Sequence, residues 1–190
     1  MEISTFIIAA LFASVIVYAI VIYNNLVSLK HNVAKSWANI DVLLKQRHDE
    51  LPKLVEVCKQ YMQYEQETLE KVMQARSAIA TAREQGNVAN VGKAETQLRM
   101  GLGGLFALAE NYPDLKADQS FQHLQQRITG LENAIADRRE FYNEAVNINN
   151  VRVEQFPDNV VARKFQFKTA ALLEFSDEEL KDVSMKALFN

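Results

Sequence analysis

Residues 40–56, IDVLLKQRHDELPKLVE, gather Arg47, His48, Asp49, Glu50 and Pro52 in the middle of an apolar helical pattern. An imidazole beside two carboxylates is a donor set for a divalent metal or for acid–base chemistry. Spacing argues against both. Successive helical positions point about 100° apart, so three adjacent side chains diverge unless a loop rearranges them. The cluster therefore reads first as a helix kink or cap, and only second as a ligand- or metal-binding turn on His48, Asp49 and Glu50. Asp41, upstream, is expected to pair with His48 or Lys45 along one helix face.

The other reactive types fare no better. A di-metal bundle needs Glu-x-x-His pairs on facing helices. Of His31, His48 and His123, none follows a Glu by three residues; Lys45 and Ser120 stand before the last two. The run MGLGGLFALAE holds Gly101, Gly103 and Gly104 but has no strand before it and no phosphate-loop lysine, so close helix approach is its expected role. Cys58 sits on an apolar stripe, where a thiol is inert. Asn143, Asn147 and Asn150 recur at i, i+4 and i+7 beside Tyr142. That spacing suggests a polar network fixing helix register, with a ligand-binding Asn143/Asn147 face as the alternative. No catalytic residue, metal ligand or cofactor is expected.

These residues must be held by helices. The 190-residue chain has only 6 Gly and 3 Pro, which favours long helices over sheets. A net charge of −3 offers no basic field for nucleic acid. Residues 3–22, ISTFIIAALFASVIVYAIVI, carry no charge. As a helix they span about 30 Å, the hydrocarbon thickness of a bilayer. A cleaved signal peptide would want a basic start and a small-x-small site, whereas Glu2 precedes this run and YNNLV follows it. A retained anchor is the expectation. Lys30, Lys35, Lys45 and Arg47 after it place the remainder in the cytoplasm.

Beyond the anchor, Leu26, Val33, Trp37, Ile40, Leu44, Leu51, Leu54, Cys58 and Tyr61 form one stripe, with Lys30 and Arg47 at its skipped positions. Pro52 removes a helical hydrogen bond, so two segments are predicted, 24–48 and 50–85, with Asp49 a fair N-cap. Gly86 supplies a left-handed terminus and Asn87 caps the next helix, about 88–112. Tyr112 before Pro113 ends it. A long helix over roughly 117–155 is closed by Pro157. No strand-length alternation stands out; ARKFQFK comes closest. The predicted class is all-α: a transmembrane helix over 1–23, a mostly antiparallel four-helix bundle over 24–157, and a tail over 158–190. In that tail the capping box from Ser176 to Glu179 precedes Leu180, Val183 and Ala187, a short amphipathic helix. Its Asp177, Glu178 and Glu179 disfavour anionic lipid, so membrane remodelling ranks last.

The stretches YNNLVSLKHNVAKSWANIDVLLKQRHDELPKLVEVCKQY, ENYPDLKAD, FQHLQQRITGLENAIADRREFYNEAV and FPDNVVA, in this order, resemble the LemA family of bacterial membrane-anchored helical proteins. The residues that carry the resemblance are Tyr23, Asn24, Trp37, Asp41, Arg47, Asp49, Pro52, Tyr112, Pro113, Tyr142, Asn143 and Pro157. The resemblance implies an antiparallel bundle on one N-terminal anchor and no assigned catalytic activity. Some relatives carry a lipoprotein signal, but no lipobox cysteine precedes Tyr23 here. Lys30-His31 stands where relatives have Arg-Asn, and NINN replaces a Tyr-Asn pair. The reading is a non-enzymatic scaffold, contacting the bilayer through residues 3–22 and self-associating or binding partner proteins.

Overall fold

Glu2 opens a helix that does not end until Tyr61, and this α1 is the first difference from expectation. The computed structural model describes residues 2–175. Within them follow α2 (Gln66–Glu84), α3 (Val88–Ala109), α4 (Pro113–Ala117), α5 (Gln119–Glu154) and α6 (Asp158–Lys164), with no strand. The helix expected after Ser176 lies outside the described residues.

The predicted separation into two segments at residues 47–52 is absent: Pro52 lies inside α1, and Asp49 is a mid-helix residue rather than an N-cap. Proline has no N–H for the carbonyl four residues back. That carbonyl belongs to His48, and Arg76 of α2 donates its Nε–H to it at 2.9 Å. A side chain from another helix thus replaces the missing backbone donor, and the helix continues. The chain turns instead at 62–65, between α1 and α2. MQYE contains neither Gly nor Pro, so no local signal announces the turn. Buried Met62 and the Tyr61 hydroxyl, which donates to Asp118 Oδ2 at 3.2 Å, hold it in place.

We expect Arg76→Ala to cost about 1 kcal/mol, because the half-buried His48 carbonyl then loses its donor. In a Pro52→Ala background residue 52 regains its amide donor, and the same truncation should then cost much less. Chemical unfolding of the four proteins measures the coupling; strictly additive penalties would refute the pairing.

Local punctuation elsewhere follows the residues. Gly86 adopts φ +63°, and the Asn87 side chain accepts from the Asn90 amide at 3.0 Å. Tyr112 is extended at φ −119°, ψ 83°, as a residue before proline prefers, and Pro113 begins α4. Asp118 caps α5 by accepting from the Phe121 amide at 2.9 Å.

The described chain forms two units, one of residues 2–38 with 140–171, the other of 39–139 with 172–175. In the second, side-chain pairs give the register of a bundle. Asp41 meets Arg83 and His48 meets Arg76, so α1 and α2 run antiparallel. Glu50 meets Arg127 and Tyr61 meets Asp118, so α1 and α5 do too. Gly101 lies against Val72, and Phe106 against Phe121. Four helices therefore run up, down, up, down, with α1 and α3 pointing the same way. Leu51, Leu54, Val72, Leu98, Leu102 and Phe121 are among the apolar residues of its core.

In the first unit, Trp37 packs on Tyr142 with ring centroids 5.4 Å apart. Tyr142 donates its hydroxyl to the Ala171 carbonyl at 2.9 Å, and burial raises its pKa. Asn150 grips Ala170 twice, accepting from its amide at 2.8 Å and donating to its carbonyl at 2.9 Å. Buried Asn149 adds a bond to the Lys168 carbonyl at 3.3 Å. The polar network expected on α5 therefore exists: Asn150 belongs to it as expected, and the neighbouring Asn149 joins it. Asn147 points to solvent and takes no part. Three- and four-residue spacing identified the right segment, and the buried face, Tyr142, Val146 and Asn149, lies one residue, about 100°, from the expected stripe.

Candidate functional site

Arg47 is 1 % exposed and Glu95 is not exposed at all, although both are charged. Arg47 comes from α1 and Glu95 from α3, the two helices that run parallel across the bundle. An Arg47 guanidinium nitrogen lies 2.5 Å from Glu95 Oε1, and the other terminal nitrogen lies 3.7 Å from Glu132 Oε1 on α5. Leu44, Leu51 and Leu98 are buried around the pair's positions in sequence. Arg47 Nε and Glu95 Oε2 are buried without a hydrogen-bond partner. Two charges taken out of water are held by one direct ion pair and a longer contact, a combination that adds little stability over apolar side chains of similar volume. No solute reaches the pair without the bundle opening.

Arg47 occupies a skipped position of the apolar stripe, and this position faces the core. The same signal marks its partners. Glu95 lies four residues after Val91 and three before Leu98; Glu132 lies four after Ile128 and three before Ile135. Charges of opposite sign on three apolar stripes are a legible pattern, but which ones meet depends on the fold.

His48, Asp49 and Glu50 point in different directions from the middle of α1. Asp49 is exposed. Glu50 is buried and bound by Arg127 Nε at 2.9 Å and Lys53 Nζ at 3.2 Å. Burial first, then the Arg76 guanidinium, lowers the pKa of His48, against a smaller upward pull from Asp49. Among the described residues no three His, Cys, Asp or Glu side chains gather as a metal-sized group. Asp41 pairs neither with His48 nor with Lys45; Arg83 of α2 donates to its carboxylate at 2.7 Å. Cys58 is fully buried, and burial pushes its thiol up to about 12. Such a thiol is a packing group.

Of the glycines in MGLGGLFALAE, only Gly101 lies at a close approach, with Val72 Cγ2 at 3.3 Å from where a Cβ would be; Gly103 and Gly104 face open space. The closest approach is at Gly92, where a Cβ would stand 2.0 Å from the Glu174 carbonyl oxygen. Residues 172–175 lie there as a strap on the bundle. Leu173 is fully buried, and the Phe175 ring meets the Arg139 guanidinium at 3.9 Å and that of Arg99 at 5.8 Å. Sequence reasoning missed this strap, because nothing in TAALLEF has helical or strand periodicity.

Tyr23 meets Phe165 edge to face, Asn24 is exposed and Asn143 is half-buried. Tyr112 donates to Glu65 at 3.5 Å, and Pro157 precedes α6 after a cis bond from Phe156. The apolar residues from Ile3 to Val21 are exposed almost throughout, on a helix long and apolar enough to cross a membrane.

The model of the LemA family matches residues 36–186. The chain is 27% identical to Protein LemA of Metamycoplasma hominis, over 88% of this chain and 75% of that one. It is 25% identical to Magnetosome protein MamQ 2 of Paramagnetospirillum magneticum, over 78% of this chain. It is 23% identical to Magnetosome protein MamQ of Magnetospirillum gryphiswaldense, over 77% of this chain. The aligned part spans 63% and 62% of those two magnetosome proteins, less than two thirds of their length.

Proposed function

We propose, from the premise that this chain belongs to the LemA family, that it is a membrane-anchored, non-enzymatic scaffold at the bacterial plasma membrane. Its bundle faces the cytoplasm and binds copies of itself or partner proteins. The observation that carries this reading is α1, one helix that supplies both the exposed apolar span and a core strut of the bundle. Anchoring concentrates such bundles in two dimensions, and self-association then adds avidity without new contacts. The buried Arg47–Glu95 pair suits a frame whose register must be kept. Basic residues shortly after the span, Lys30 and Lys35, favour the cytoplasmic side.

Light scattering and crosslinking of the full chain in lipid nanodiscs test the scaffold, and a strict monomer that captures no protein would refute it. Sidedness needs one new thiol. Cys58 is buried and protonated, so Gln85→Cys on the exposed end of α2 can be read without removing it. We expect no labelling by an impermeant maleimide in intact cells and full labelling after lysis.

A further inference from the structure

The apolar run ends at Ile22, and Ile22 is not exposed like the residues before it. With Leu26 it forms a buried cluster against Ala162 of α6, flanked by Val153, Val161 and Phe167. This contact sets α6 beside the last turn of the apolar run, at the height where hydrocarbon gives way to headgroups if residues 3–22 span the bilayer. The outer side of this segment is unusual for a surface in water. Phe156 is 81 % exposed, Val160 61 % and Phe165 58 %. Tyr23, the first residue after the run, meets the Phe165 ring edge to face at 4.8 Å. Exposed Arg163 and Lys164 occupy the last turn of α6, and Lys168 follows. Their charge outweighs that of exposed Glu154, while Asp158 is held by Arg152 at 2.6 Å.

We propose that α6 and its flanking phenylalanines are an interfacial lipid-binding seat, in which Phe156, Val160 and Phe165 enter the headgroup boundary and Arg163 and Lys164 bind anionic lipid phosphates. The inference rests on the reading of residues 3–22 as a membrane span. Three observations favour lipid over a second protein. The patch is continuous with the lipid-exposed face of α1 through Tyr23. It pairs aromatic rings with cations, as residues at membrane–water boundaries do. Its charge is also opposite to that of an anionic leaflet.

Depth-dependent quenching tests it on the full chain in vesicles. In a Trp37→Phe background, single tryptophans are placed by Phe165→Trp, Phe156→Trp, Phe12→Trp and Tyr64→Trp, with lipids brominated near either end of the acyl chain. We expect the probes at 165 and 156 to be quenched severalfold more by bromine near the headgroup. The probe at 12 should be quenched by bromine near the chain end, and the probe at 64 by neither. Raising the phosphatidylglycerol fraction should increase quenching at 165, and Arg163→Glu with Lys164→Glu should abolish that increase. Quenching at 12 but at neither 165 nor 156 overturns the seat and leaves the span standing; quenching at none of the three overturns both. Blue-shifted but unquenched emission at 165 and 156 assigns the face to a second copy and overturns the lipid seat. A lipid response unchanged by the two charge reversals overturns the role of Arg163 and Lys164.

Discussion

Arg47→Ala should destabilise the bundle by about 3–5 kcal/mol, because Glu95 then remains in the core as an uncompensated charge. The arginine is 1 % exposed and its partner 0 %, so neither solvent nor salt screens the loss. Glu132, with 18 % of its side chain exposed, lies 3.7 Å away from the guanidinium but cannot relieve Glu95, since it carries the same charge. Replacing both members separates the pair's worth from the cost of breaking it. Arg47→Met with Glu95→Leu fills the space with apolar groups and should recover most of the stability, to within about 1 kcal/mol of the native chain. Urea unfolding followed by circular dichroism measures all three. A double variant as unstable as Arg47→Ala would show that the two positions are not coupled. A double variant that is stable yet has lost self-association or partner capture would show that the charges specify the scaffold's working register.

Gly92→Ala should be nearly as damaging, for a steric reason. The new Cβ would stand 2.0 Å from a backbone oxygen, that of Glu174, and a backbone atom cannot swing aside as a side-chain tip can. The strap over 172–175 must lift. It then loses the burial of Leu173 and the place of the Phe175 ring beside Arg139 and Arg99. One buried leucine and the two cation–π contacts of Phe175 together suggest about 2–4 kcal/mol. Gly103→Ala is the control. Its Cβ meets nothing within 4 Å on an exposed helix face, so it should be neutral or stabilising by about 0.5–1 kcal/mol. Hydrogen exchange at residues 172–175 should rise in Gly92→Ala and stay unchanged in Gly103→Ala. Retained protection in Gly92→Ala would refute the strap.

Much of this molecule is legible in local terms. Heptad-like apolar spacing announced α1, α3 and α5, because a helix surface repeats every three to four residues whatever it packs against. Gly86, Asn87 and Pro113 act on their own backbone within one turn, so helix ends near them were readable. The uncharged run at 3–22 needs only length and composition. The strongest local signal, Pro52, was also the most misleading. Its effect on a helix depends on whether something else satisfies the freed carbonyl, and that donor is Arg76, 28 residues away in the chain.

An all-α chain with an apolar span, its helix-forming stripes and its family were thus readable from residue order. Each of these is a property of neighbours in the chain or of motifs in order. That α1 runs through Pro52, that Arg47 meets Glu95 across 48 residues, and that residues 172–175 cross Gly92 emerges with folding. Those outcomes depend on which distant groups come within hydrogen-bond or van der Waals reach. Interactions so short in space and so long in sequence leave no periodicity to read.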